Sequence, residues 1–203
     1  MKKLFIALGL VLALTGGGVS QQSVTPKGAK SDATLLKIRQ IDMLVQILPL
    51  AIKKTQFEPI LASLDRAREK QKKTLLMEDD FLEKIDAELG EAVKNGLEKG
   101  TFPPHDLQVK AAKLWHALSI NRQVATNEMV QDLYTTFKGD ATHTGVFDEG
   151  QLKVMANSLD AQAFDPSVKK DSMNEVAKIK FFITQIFLDP VTYDLLRKLA
   201  VVG

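Results

Sequence analysis

Apolar residues recur at three- and four-residue steps along almost the whole chain, and no segment keeps the two-residue rhythm of a half-buried strand. That confines the fold to the all-α class, a single helical bundle of about six to seven helices. Leu35, Ile38, Ile41, Leu44, Val45 and Leu48 form a first stripe, which Ser31 or Asp32 can cap. Pro49 ends or kinks that helix, because proline has no N–H to bond back along it. Phe57, Ile60, Leu61, Leu64 and Ala67 make a second helix with Pro59 near its start, and its basic end, 66–73, is expected to be solvated. Asp79 and Asp80 are expected to cap a third, carrying Phe81, Leu82, Ile85, Leu89, Val93 and Leu97 and closed by Gly100. The brief joint at 75–78 predicts that these two helices form a long antiparallel hairpin over about 54–99, with basic 66–73 set beside acidic 78–83.

After the break at 101–104, Leu107, Ala111, Leu114, Trp115 and Leu118 mark a fourth helix. Met129, Val130, Leu133 and Phe137 mark a fifth, from about Thr126. A loop follows, then a short helix over 148–159 and a long one over 172–188. Asp189-Pro190 supplies an N-cap and a first-turn proline for a closing helix that runs to about Val201. The run from Phe181 to Leu188 is apolar on every side, which suits a central place in a bundle.

The N-terminus has the layout of an export signal. Lys2 and Lys3 precede an eleven-residue apolar run, Leu4 to Leu14, and the small residues Gly18 and Ser20 place cleavage before Gln21. Eleven residues fall well short of the roughly 20 that cross a bilayer. The expected division is therefore a signal peptide over 1–20, a flexible leader over 21–32 with Pro26 and Gly28, and a helical domain over 33–203. The expected location is the periplasm or the extracellular medium, with no stable membrane insertion and, absent any cysteine, no lipoprotein anchor. The chain holds 27 Lys and Arg against 25 Asp and Glu, but Lys2 and Lys3 leave with the signal. The remainder is formally neutral, so the whole-chain pI of about 8.7 is no footprint for nucleic acid.

Chemistry is hard to find. Having no cysteine removes thiol catalysis and cysteine metal sites. His105, His116 and His143 form no zinc-binding pair; His105 is expected in solvent and His116 half-buried beside Trp115. No nucleophile elbow and no phosphate-cradling glycine loop occurs. The expectation is a protein that is not an enzyme and has no cofactor, with an unidentified polypeptide or a second copy of itself as partner.

Two local patterns stand out. The loop from Asp140 to Gln151 resembles the frame of a calcium-binding EF-hand, with Gly145 at its sixth position and Leu152 just beyond its twelfth. In that frame the oxygens come from Asp140, Thr142, Thr144, Val146, Asp148 and Gln151. Only two of these are carboxylates, and Gln151 replaces the bidentate Glu, so calcium affinity would be no better than about 10⁻⁴–10⁻³ M. The other reading is a helix–loop–helix turn, relaxed by Gly145 and capped by Asp148.

The second pattern is Leu50-Ala51-Ile52-Lys53-Lys54-Thr55-Gln56, with a degenerate copy at Phe147-Asp148-Glu149-Gly150-Gln151. Each sets an apolar residue, a cap position and a Gln three residues on, which is the spacing of a capping box. Lys53 and Asp148 hold the cap positions, and Lys53 has no acceptor to cap with. These residues resemble the LTxxQ motif of small helical periplasmic stress proteins. The resemblance implies an exported, disulfide-free protein that forms curved helical dimers and binds unfolded clients or senses envelope stress.

Overall fold

The computed structural model describes residues 28–159 and 173–202. The expected signal peptide and residues 21–27 of the leader lie outside them. Among the described residues there are six α-helices and no strand: α1 (Gly28–Ile47), α2 (Lys54–Lys99), α3 (His105–Lys138), α4 (Glu149–Ser158), α5 (Glu175–Phe182) and α6 (Pro190–Val202). A 3-10 turn (Leu48–Leu50) follows α1, and a π-helical segment (Ile183–Phe187) follows α5. Helix α1 begins at Gly28, so the last five residues of the expected leader are helical rather than flexible.

The long antiparallel hairpin is present, but its arms are α2 and α3 rather than two halves of 54–99. Between Pro59 and Gly90 there is no Gly or Pro to stop a helix, so 75–78 is not a joint and Asp79 and Asp80 lie mid-helix instead of capping. The same holds between His105 and Lys138, where the expected fourth and fifth helices are one. Gly100 closes α2 in the left-handed conformation, at φ +63°. Basic 66–73 and acidic 78–83 therefore share one helix, and their charges look outward except that of Glu78, which turns in to the hairpin seam. Lys70 pairs with Glu128 of α3, and the Arg68 guanidinium lies 3.7 Å over the Tyr193 ring.

One polar layer interrupts the hairpin seam. Arg122 donates from Nε to both Glu78 carboxylate oxygens at 2.8 Å and from Nη2 to Oε2 at 2.5 Å. The Glu78 side chain is only 4% exposed. Its hydrogen bonds hold the Arg122 guanidinium pKa above the usual value, against the opposing effect of burial.

The main core gathers at the hairpin's base. Phe137, Phe147, Phe182 and Phe187 form a ring cluster with centroids 4.7–6.1 Å apart, joined by Ile60, Leu64, Leu133 and Leu196. The π segment explains how a run apolar on every side finds cover. Leu188 N–H bonds to the Ile183 carbonyl five residues back, and the wider turn rotates Ile183 into the same core as Phe182, Ile186 and Phe187. Helix α5 itself starts later than the expected 172, where the Asn174 side chain accepts from Ala177 N–H. Asp189 behaves as the sequence implies, accepting from Val191 N–H at 2.8 Å, and it also binds Arg39 of α1. The outer hairpin has a separate, small core of Ile85, Ala92 and Leu107.

Glu78→Ala should destabilise the chain by about 3 kcal/mol by stranding Arg122, whereas Glu78→Leu with Arg122→Leu should restore most of that loss. Urea titrations of the three variants check this.

Candidate functional site

The two LTxxQ-like copies, 95 residues apart, meet in the fold as one bonded unit. The Gln56 and Gln151 side chains form a reciprocal amide pair. Gln56 Nε2 donates to Gln151 Oε1 at 2.9 Å, and Gln151 Nε2 donates to Gln56 Oε1 at 3.0 Å. The second hydrogen of each amide goes to a backbone carbonyl: Gln56 to Val146 at 2.5 Å, Gln151 to Leu50 at 2.8 Å. The second lone pair of each oxygen takes an N–H at its own helix start, from Lys53 at 2.8 Å and from Asp148 at 3.0 Å. A primary amide has two donors and two acceptor sites, and in this buried pair all eight are filled. No other side chain of that length could do this; a carboxylate lacks the donors and a leucine lacks both.

Local structure presents the carbonyls. The 3-10 turn ends at Ala51, held left-handed at φ +46°, which leaves the Leu50 carbonyl directed at Gln151. On the other side, Val146 and Phe147 donate their N–H groups to Thr136 and Phe137 at the end of α3. That contact requires Gly145, since a Cβ there would sit 2.3 Å from the Lys138 carbonyl carbon.

The two cap positions complement each other. At α4 the capping box is complete, because Asp148 Oδ1 also accepts from Gln151 N–H at 3.0 Å. That bond, with Lys53 as a smaller cause, holds the Asp148 carboxyl below its usual pKa. At α2 only half a box forms, and the Gln56 N–H turns to the Lys53 carbonyl at 2.8 Å. The Lys53 ammonium instead reaches Asp148 Oδ2 at 3.4 Å, so the residues at the two cap positions face each other as an exposed ion pair. In water such a pair contributes little to stability.

The six candidate calcium ligands are placed as follows. Asp140 Oδ1 accepts from the N–H and hydroxyl of Thr142 at 2.7 and 2.6 Å, closing a tight local turn that lowers its pKa. Thr144 lies in the same exposed turn, bridged to Gly139. The Val146 carbonyl, the Asp148 carboxylate and the Gln151 amide all belong to the clasp that the Gln56–Gln151 pair forms with its carbonyl and cap partners. Among the described residues no three His, Asp or Glu side chains gather as a metal site. His116 is exposed, not half-buried, because Trp115 beside it stands 64% exposed; His105 is exposed at the start of α3.

In the sequence both glutamines stand out as copies of one capping pattern, with Gln151 also a candidate calcium ligand, but nothing there shows that the two side chains meet. Their shared spacing after a cap was the available sign of a common role. Compared with family models, curated proteins and solved structures, the chain matches none.

Gln56→Ala and Gln151→Ala should each cost about 2–4 kcal/mol, because each strands buried partners. The double variant should cost less than their sum by roughly 1–2 kcal/mol, as measured in a double-mutant cycle. Calcium at about 10 mM should leave the melting temperature unmoved; a rise of roughly 3 °C or more that Asp140→Ala removes would instead assign the ion to this loop.

Proposed function

We propose that the chain is an exported, non-enzymatic helical protein that binds apolar segments of unfolded polypeptide, as a chaperone-like or envelope-stress module of the LTxxQ kind. The observation that carries this reading is a cleft of about 180 Å³ between the hairpin arms, floored by Met77, Phe81, Val124 and Ala125. Leu75, Leu76 and Ile120 add exposed apolar surface on the same two arms. Lys70 and Glu128 stand at the cleft with opposite charges. A rim of both signs, on a region 21–203 that is formally neutral, suits the mixed polarity of a polypeptide better than a polyanion. Such a volume accommodates one large apolar side chain, which is how short segments of an unfolded client are held. The clasp supports the likeness to LTxxQ proteins, since the residues bearing the motif act together.

The test is light scattering from an unrelated, chemically denatured client diluted into buffer with the chain at near-stoichiometric amounts. The chain should suppress aggregation, and Met77→Glu with Phe81→Glu should weaken the effect without lowering the melting temperature, because both side chains are exposed. Aggregation unchanged by the parent chain would remove the reading.

A further inference from the structure

The base of the molecule carries a second concavity, at the opposite end of α2 from the hairpin tip. It lies between the 3-10 turn after α1, the start of α2 and the end of α6, and holds about 310 Å³. Every residue lining it is apolar: buried Ile47 and Phe57 form its floor, and Leu48, Ile52, Leu199 and Val202 its more exposed walls. Such a volume is at the lower end of small-molecule sites. The lining suits a polypeptide poorly. A backbone laid along it would bury N–H and C=O groups against side chains that offer no partner, and each unpaired group costs free energy. A hydrocarbon chain brings no such groups.

The charges nearest the groove on these helices are positive. Lys54 stands one turn before Phe57 on α2 and Lys198 one turn before Val202 on α6, and neither makes an ion pair among the described residues. Glu58 is turned about 100° around α2 from Phe57, against about 60° for Lys54, and Asp194 lies a further turn back on α6. Lys53 is held by Asp148, but nothing offsets Lys54: the first turn of α2 has no acid, and a cation there repels the positive end of the helix. We propose that the groove binds a free fatty acid, its tail laid over Phe57 and Ile47 and its carboxylate drawn to Lys54 and Lys198. The buried tail supplies most of the affinity, and the two ammonium groups select the sign of the head group. A single molecule fits better than a bilayer surface, because the floor is buried and a chain must leave its neighbours to reach it.

The groove shares no lining residue with the hairpin cleft, so the inference does not rest on the client-binding reading. The test is isothermal titration calorimetry with dodecanoate, kept below the concentration at which it forms micelles, on the chain at full length and from Gln21 onward. One molecule should bind per chain, with a dissociation constant of about 10–100 μM. Octanoate, four methylenes shorter, should bind at least about 30-fold more weakly if the tail is buried. Dodecyltrimethylammonium, with the same tail and the opposite charge, should bind at least about tenfold more weakly than dodecanoate. Lys54→Glu with Lys198→Glu should weaken dodecanoate about tenfold and reverse that preference. Leu48→Asn, at an exposed wall position, should weaken both twelve-carbon ligands about fivefold. No saturable binding by either form, equal affinity for the two head groups, indifference to the lysine or Leu48 variants, or binding to anionic phospholipid vesicles but not to free dodecanoate would each overturn the proposal. Met77→Glu with Phe81→Glu should leave dodecanoate binding unchanged. If dodecanoate binds and client aggregation is not suppressed, only the client reading fails; the converse removes only this one.

Discussion

The fold turns on two buried amides that satisfy each other. Gln56 and Gln151 sit at the starts of α2 and α4, and their pairing draws the turn after α1 and the loop after α3 to the same point. Once those starts are joined, Phe147 is seated against Phe137 and Phe187, and the closing helices have a surface to pack on. The strength of the arrangement lies in completeness more than in any one bond. A buried amide with an unfilled position costs more than a typical bond returns, so a network with every position filled is stable where a partial one is not. It is also specific, since no slipped arrangement of the two helix starts would fill all eight positions.

The helical class, the closing turn at Asp189 and the cap at Asp148 were legible in the sequence because each depends on neighbours in the chain. The continuity of α2 was harder to see. Its inward row runs from Phe57 through Ile60, Leu64 and Ala67 to Glu78, Ile85 and Ala92 without changing phase, but between Ala67 and Ile85 it passes through Gln71, Thr74 and Glu78. Those polar residues resemble a break when only apolar residues are counted. Glu78 is tolerated there because Arg122 lies opposite it, a fact that belongs to a different helix. The clasp hid for a related reason. Each glutamine reads locally as a helix start, and only the fold shows that what one lacks the other supplies.

The residues at the two cap positions follow the same logic. Lysine at position 53 cannot cap its helix, and aspartate at 148 caps well but carries a charge; placed face to face, each offsets what the other brings. Helix α1 shows the opposite situation, a helix with more apolar residues than the other described residues cover. Leu35, Leu36, Ile38, Ile41 and Val45 of this helix all stand at least 48% exposed.

The division of the hairpin into two cores has a further consequence. The inner half shares the main core, while the outer half, beyond the Glu78–Arg122 layer, rests on Ile85, Ala92 and Leu107 with help from Leu89 and Leu114. Residues 79–99, beyond that layer, extend about 30 Å at the usual rise of an α-helix. So long an arm on so few buried side chains is a cooperative unit of its own, able to open and reclose while the base stays folded. The ion-pair layer marks its border. The molecule is thus built as a base carrying a limb whose own packing rests on a handful of side chains rather than on the main core.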